Sequence, residues 1–300
     1  MHYLHGVPLG RIGEIFGKDI RIGSIIGILH RVAKIFEPLI PVLIQQYRDS
    51  FVKQADETSW GTDGQKGWAW LFSTEYIALL LCEDTRAASV TTKVFGTKTL
   101  PGVLVVDRYA GYNKVPCLIQ YCFAHLLRDI TKLLKDFPDS KEIASFVETL
   151  ADLLVQAMHL PKQKLSDELH LQQARYIQAQ IKIIVSAPHE HLGIKDIQSI
   201  LTKNEHRLYH WVEHRSVPCH NNASEQQIRR TVISRKISFG SQSDRGANTR
   251  SVLYSILATA RKRLGSDSAI EVWLADLLNA FSTNPKQFDI LNAFPSAHSS

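Results

Sequence analysis

The stretch Pro101–Asn113, PGVLVVDRYAGYN, decides the fold of this chain. Its segment VLVV (Val103–Val106) is apolar throughout, which is typical of a strand that is buried on both faces of a sheet. The Pro-Gly pair in front of the segment predicts a turn, and Asp107 follows the segment directly. We therefore expect a central strand of an α/β sheet, with an acidic side chain at its carboxyl end.

The sequence on either side of this strand predicts the rest of the sheet. GWAWLFS (Gly67–Ser73) and YIALLLC (Tyr76–Cys82) are apolar runs with only two residues between them, a spacing that predicts a hairpin. Three further elements are expected: a strand over Phe51–Ala55 that ends at Asp56, a helix over Arg86–Phe95 and a strand over Leu118–Tyr121. The predicted order is strand, hairpin, helix, strand, strand.

Helical periodicity dominates the remaining sequence. Residues 11–48 predict two helices with a break at Lys18–Gly23, either a helix-turn-helix-like unit or a plain packing pair. From His125 to Trp211 the chain reads as almost wholly helical, as an insertion would. The remaining expectations are a helix from near Asn222, a loop over Gly240–Asn248, helices over Thr249–Leu264 and Ala269–Phe281, and a frayed tail, NAFPSAHSS.

These patterns predict an α/β fold with a mixed sheet, a large all-helical insertion and C-terminal helices. We divide the chain into a helical N-terminal segment (1–48), a catalytic core (49–125 and 216–265), a helical insertion (126–215) and a C-terminal helix with its tail (266–300).

Composition narrows the choice of partner. The chain has 300 residues and a formal net charge of +6, and Gln226–Arg263 carries nine Lys/Arg against one acid, Asp244. Such a run predicts a phosphate-binding face, with a solvated helical surface as the alternative. No apolar run reaches the roughly 18–20 residues of a membrane helix, and the N-terminus lacks the apolar stretch of a signal peptide, so we expect a cytoplasmic protein. The four cysteines form no CxxC pair, so neither a structural zinc site nor a disulfide framework is expected.

Three carboxylates stand out as candidate metal ligands. Asp56 and Asp107 follow apolar strands, and Glu225 lies on the first turn of a predicted helix, just before Arg229 and Arg230. Side chains at the ends of neighbouring strands come close together, and crowded carboxylates repel one another unless a cation binds between them. Oxygen ligands suit Mg²⁺ or Mn²⁺, and two such ions can promote phosphoryl transfer.

Each of these acids also has a structural interpretation. Asp56 also fits a turn or cap residue, and Asp107 a structural ion pair with Arg108. Asn222-Ala-Ser-Glu225 fits an N-capping box in which Glu225 returns to the Asn222 amide. The combination of all three acids, in this order and on these elements, is more specific than any single one.

Four blocks of sequence resemble one known family. They are DETSW with GQKGWAWLF (Asp56–Phe72), PGVLVVDRYAGYN (Pro101–Asn113), QYCFAHLLRDI (Gln120–Ile130) and NNASEQQIRRTVISRKISFGSQSDRGAN (Asn221–Asn248). In this order they resemble the insertion sequence 66 (IS66) family of bacterial transposases, and the resemblance runs from about Leu4 to Phe281.

The resemblance implies an RNase H-like fold and a DDE-type site. The family's three acids fall on Asp56, Asp107 and Glu225, which would bind two Mg²⁺ (or Mn²⁺) ions. Cys122-Phe-Ala-His125 looks like the CxxH signature of several transposase superfamilies, which places His125 near the active site; the alternative for His125 is a packed residue at a helix start. The expected DNA-binding residues are Arg229, Arg230, Arg235, Lys236 and Arg245.

The implied activity is DNA cleavage followed by strand transfer. Water would attack a phosphodiester at the transposon end, and the freed 3′-OH would attack target DNA, with no covalent link between protein and DNA. The implied partner is double-stranded DNA, both the transposon ends and the target. A homo-oligomer would bind this DNA in the bacterial cytoplasm, associated with the nucleoid, and no membrane partner is expected. Because family members usually carry an N-terminal extension with a helix-turn-helix and a zinc motif, we expect this chain to be an N-terminally truncated member.

Three functions other than transposition are also consistent with parts of the sequence. An RNase H-like nuclease or Holliday-junction resolvase would use the same acids for hydrolysis alone. An inactive DNA-binding remnant would bind DNA in a salt-dependent way without forming product. A helical interaction module would account for residues 126–214 but would leave the acidic strand ends unexplained.

Overall fold

The structure is a computed structural model that describes residues 1–16 and 20–297. It has a mixed α/β architecture and divides into two compact units. Unit one comprises Met1–Leu100 and the chain from Ala223 onward, and unit two comprises Pro101–Asn222. Part of the predicted break at Lys18–Gly23 and the last residues of the predicted tail lie outside the described residues.

Unit one contains an antiparallel sheet of three strands in the order β3-β2-β1. The strands are β1 (Val52–Ser59), β2 (Trp68–Ser73) and β3 (Ala78–Glu83). The pairing of β2 with β3 confirms the predicted hairpin. The predicted end of the first strand at Asp56 is wrong, because β1 continues to Ser59 and Asp56 pairs with Leu71 of β2. The ladder to β2 extends the strand through Asp56 and Glu57, whose intrinsic strand propensity is low.

The helices of unit one surround this sheet. They are α1 (His2–His5), α2 (Leu9–Ile15), α3 (Ile22–Phe36), α4 (Leu39–Asp49), α5 (Ala88–Phe95), α11 (Asn222–Ser238, which begins at the unit boundary), α12 (Asp244–Leu264), α13 (Asp267–Thr283) and α14 (Ile290–Ala293). An aromatic cluster of buried side chains ties β2 to α4 and α5: Tyr47, Trp70, Phe72 and Phe95. The ring centroids of Tyr47 and Phe72 are 5.8 Å apart in an edge-to-face arrangement, which aromatic pairs favour.

Three side-chain hydroxyls of α12, here called the hydroxyl ladder, face β3: Ser251, Ser255 and Thr259. Each accepts a hydrogen bond from a backbone N–H of the strand. In the same order, the donors are Cys82 (2.9 Å), Leu80 (2.8 Å) and Ala78 (3.0 Å). Four residues of a helix advance about 6 Å and two residues of a strand about 6.6 Å, so the two spacings match over this length.

Two predictions for the C-terminal part of unit one are wrong. The loop predicted over Gly240–Asn248 is shorter, because Ser243 caps α12 by accepting a hydrogen bond from the Gly246 N–H at 3.1 Å. The predicted tail is docked as far as Pro295. Trp273 donates from Nε1 to the Ala293 carbonyl at 2.9 Å, and its ring packs against Phe294 with centroids 5.7 Å apart. These tertiary contacts replace the fraying that the composition suggested.

Unit two combines a parallel strand pair with helices. Strands β4 (Val103–Val106) and β5 (Leu118–Tyr121) pair in parallel, with Val106 opposite Tyr121. Its helices are α6 (Phe123–Asp136), α7 (Lys141–His159), α8 (Asp167–Ser186), α9 (Leu192–Lys203) and α10 (His210–Glu213). Both strands and the helical character of this region agree with the sequence prediction.

One helical segment of unit two is long and apolar enough to resemble a membrane span. Lys141–Lys162 has 22 residues and a mean hydropathy of 1.3. The expectation that no segment reaches this length missed it because Glu148 and Asp152 interrupt the apolar run. A single such helix is weak evidence for a membrane protein. Its apolar face, including Phe146 and Leu150, is buried, as in the core helix of a globular unit.

Candidate functional site

Asp56 and Glu225 lie on adjoining elements of unit one. Ser224, in the first turn of α11, shares a buried hydrogen bond of 2.6 Å with Ser73 at the end of β2, and Ser73 pairs with Gln54 of β1. Asp56 lies two residues beyond Gln54 and therefore on the same face of the strand. The Ser73–Ser224 contact thus fixes the helix turn that carries Glu225 beside the part of the sheet that carries Asp56.

The Asp56 side chain is half-buried and held locally. Its Oδ1 accepts a hydrogen bond from the Glu57 N–H at 2.9 Å. Glu57 in turn accepts from Arg86, with 2.5 Å between the Arg86 Nη2 and Glu57 Oε1 atoms. Glu57 is thereby engaged in an ion pair that links β1 to Arg86.

Asp107 lies where the sequence predicted, directly after β4 of unit two. Its half-buried carboxylate accepts a hydrogen bond from the Tyr109 N–H at 2.9 Å, which fixes the turn after the strand. Arg108, the ion-pair partner considered for Asp107, donates to Asp129 of α6. Arg108 therefore has a structural role of its own, which links the end of β4 to that helix.

His125 and Cys122 lie at the start of α6 in unit two. Cys122 is the N-cap residue, and its Sγ and a His125 ring nitrogen lie within 4.8 Å of each other. The thiol is buried, and its sulfur accepts a hydrogen bond from the Asn221 N–H at 3.1 Å. The Cys122 N–H donates to the carbonyl of Val106 at 2.8 Å, so the segment Cys122–His125 is anchored beside the strand that precedes Asp107.

The expected DNA-binding residues differ in their exposure. Arg229, Arg230, Lys236 and Arg245 are exposed, on α11 and on the first turn of α12. Arg235 is half-buried, and its Nη1 donates to the Ser59 carbonyl at 2.8 Å and to Thr58 Oγ1 at 3.1 Å. Arg235 therefore links α11 to the end of β1, whereas the four other cations are exposed, with Arg230 also donating to the Leu4 carbonyl at 3.5 Å.

We expected the cations of Gln226–Arg263 to form an exposed basic face. This prediction is wrong in part, because some of these cations are buried. Arg250 and Arg263 are 3% and 6% exposed. Arg263 donates to the carbonyls of Tyr76 and Pro295, at 3.2 Å and 2.7 Å. These buried cations arise because α12 crosses the core of unit one, a position that the charge count could not indicate.

The protein is thus a mixed α/β protein with acids on and directly after its strands. A family model described as "Transposase IS66 family" matches residues 1–249. The chain therefore belongs to the IS66 family of transposases, and this membership indicates an enzymatic role in cleaving and transferring DNA. None of the curated proteins compared with the chain matches it.

Proposed function

We propose that this protein is a DDE-type transposase with an RNase H-like core that cleaves DNA at the ends of an insertion sequence and joins those ends to target DNA. The observation that carries the proposal is the family match, combined with the placement of three acids. Asp56 and Glu225 lie on adjoining elements of unit one, and Asp107 follows the parallel strand β4 of unit two.

The donor set fits a divalent metal ion. Asp56, Asp107 and Glu225 offer only carboxylate oxygens, which are the ligands that Mg²⁺ and Mn²⁺ prefer. A backbone N–H orients each of the two aspartates at 2.9 Å. When bound, two such ions supply charge stabilisation for the attacking and leaving oxygens of a phosphodiester. We assign the three acids to holding them.

The remaining residues have binding and positioning roles in this proposal. The phosphates of transposon-end and target DNA are bound by four exposed cations, Arg229, Arg230, Lys236 and Arg245. Arg235, on α11, also contributes to DNA binding. His125, in the CxxH-like segment Cys122–His125, is assigned to the catalytic residues near the active site. The protein acts as a homo-oligomer on DNA in the bacterial cytoplasm, associated with the nucleoid.

A strand-transfer assay tests the proposal. The substrate is a transposon end with a pre-cleaved 3′-OH, incubated with target DNA and Mg²⁺. We expect joined product with the unaltered chain and none with Asp56→Asn, Asp107→Asn or Glu225→Gln. Asp139→Asn, at an exposed site between α6 and α7, is the matched control and keeps full activity.

The rival functions give different products in the same assay. Cleavage without joining would identify a nuclease or resolvase, and salt-dependent binding without any metal-dependent product would identify an inactive DNA-binding remnant. Full joining by Asp107→Asn would overturn the assignment of the acids.

A further inference from the structure

Unit one contains a cavity of about 310 Å³, here called the Arg250 pocket, whose lining includes none of the candidate acids. It lies among α1, α3, the end of α11, the start of α12 and Trp60, which follows β1. Its walls include the apolar side chains of Leu9, Ile26, Leu29 and Ile237. Small-molecule sites begin at about 300 Å³, so the pocket has room for a ligand of the size of one nucleotide.

Arg250 gives the pocket an uncompensated charge. The side chain is 3% exposed, and its Nε and Nη2 atoms have no hydrogen-bond partner among the described residues. Its guanidinium carbon lies 4.0 Å from the centroid of the Trp60 ring and 6.0 Å from that of Tyr3. Cation–π contacts offset only part of the cost of burying a cation, and burial lowers the pKa of Arg250 accordingly. An anionic group in the pocket would supply the acceptors that the guanidinium lacks.

The surroundings reinforce this positive potential. Ser243 and Gly246, at the N-terminus of the 21-residue helix α12, line the pocket, and a helix N-terminus carries a partial positive charge. Exposed Arg245 lies on the same first turn. His30, also in the lining, has its pKa lowered by burial and by Arg245, so its ring is neutral at pH 7.

The pocket is also preformed. Trp60 donates from Nε1 to Ser241 Oγ at 3.1 Å, and the Ser241 N–H donates to the Gly61 carbonyl at 2.9 Å. Gly240 has φ 130°, and a Cβ atom there would lie 2.2 Å from the Gly61 oxygen, so only glycine allows this close approach. The ring that stacks on Arg250 is therefore held in place before any ligand arrives.

We propose that the Arg250 pocket binds one unpaired nucleotide of a DNA strand, with its phosphate at Arg250 and the N-terminus of α12 and its base against the apolar wall. A bare phosphate would leave that wall uncovered, whereas a planar base covers it and buries apolar surface against these side chains. The inference rests on the proposed function, because that function makes DNA the substrate. A free nucleotide shares the same chemistry and is separated from DNA by the test.

The test is a fluorescence titration of the full chain in EDTA, which prevents metal-dependent chemistry. The probe is a DNA duplex in which 2-aminopurine is either unpaired or fully paired. We expect about tenfold tighter binding of the unpaired probe, as burial of one face of a base against the apolar wall provides. Arg250→Gln removes this preference and leaves the affinity for paired DNA unchanged. Arg175→Gln, at an exposed ion pair on α8, is the matched control and keeps the preference.

A second variant guards against misfolding of Arg250→Gln. Ile26→Trp fills the cavity while retaining Arg250, and we expect it to lose the preference with an unchanged circular dichroism spectrum. Equal affinity of the unaltered chain for the two probes, or a preference that survives in both variants, would overturn the proposal. Displacement of the unpaired probe by an equimolar deoxynucleoside monophosphate would also overturn it, in favour of a free-nucleotide site.

The strand-transfer assay keeps the two proposals separable. Absence of joining with the preference intact overturns the proposed function and supports the pocket. Normal joining without the preference overturns the pocket and supports the proposed function.

Discussion

The hydroxyl ladder makes a quantitative prediction for Ser255→Ala. Ser255 and Leu80 are fully buried, and the Ser255 hydroxyl accepts the Leu80 N–H at 2.8 Å. Alanine would leave this buried donor without an acceptor, which costs about 1–3 kcal/mol. Alanine also favours the helix over serine by about 0.5 kcal/mol. The net expectation is a loss of about 0.5–2.5 kcal/mol in the free energy of unfolding.

Two measurements check this value. Urea unfolding followed by circular dichroism reports the midpoint and the slope, and an unchanged slope is needed before the shift is converted into free energy. Hydrogen–deuterium exchange of peptides that cover β3 reports the site itself. Because the Leu80 N–H loses its acceptor, we expect Ser255→Ala to accelerate exchange more in β3 than in β1.

A matched control separates the lost hydrogen bond from the effect of alanine in a helix. Ser282 is an exposed serine of α13 whose hydroxyl donates to the Leu278 carbonyl at 2.8 Å. Ser282→Ala should leave stability unchanged or raise it slightly. If Ser255→Ala and Ser282→Ala had the same stability, the ladder would contribute nothing to folding and the reasoning would be refuted.

Three further predictions concern other parts of unit one. Burial lowers the pKa of Lys262 from 10.5 to about 8, so between these values the unfolded chain keeps a proton that the folded protein has released. Stability should therefore rise by about 3 kcal/mol as the pH increases through this interval, and Lys262→Met should abolish that rise in urea titrations at several pH values. Phe72→Ala, in the aromatic cluster, should cost about 3–5 kcal/mol in the same assay; a cost below about 1 kcal/mol would show that the cluster is loosely packed. Arg235→Gln should release α11 from β1 and accelerate hydrogen exchange in both, whereas unchanged exchange would show that this contact is dispensable.

The sequence predicted those elements whose residues carry their own signal. The hairpin β2–β3 and the strand β4 are apolar runs between turn residues, so local pattern and final structure agree. The polar residues Asp56, Glu57 and Thr58 predict an end of β1 at Asp56, whereas pairing with β2 extends the strand to Ser59. The start of α12 was missed because Gly240–Ser243 reads as a turn, although Ser243 is also a helix cap.

The order of the acids along the chain and the resemblance to the family predict which acids are candidates. Their placement in the structure depends on long-range contacts that no local sequence pattern contains. The buried bond between Ser73 and Ser224 joins residues that are 151 positions apart. The charge count of Gln226–Arg263 predicts that Arg250 is a surface cation, because charge alone does not reveal burial. The hydroxyl ladder did leave a signal, since Ser251, Ser255 and Thr259 recur every four residues, the spacing of one helix face.

The hydroxyl ladder has a consequence for how copies of this chain associate. A strand at the margin of a sheet usually offers unpaired N–H groups that can recruit a strand from another molecule. In β3 those groups at Ala78, Leu80 and Cys82 are already bonded to α12. These N–H groups are therefore not available to a strand of a second copy, so any association between copies would use other surfaces. The same hydrogen bonds protect the protein from aggregation through this edge strand.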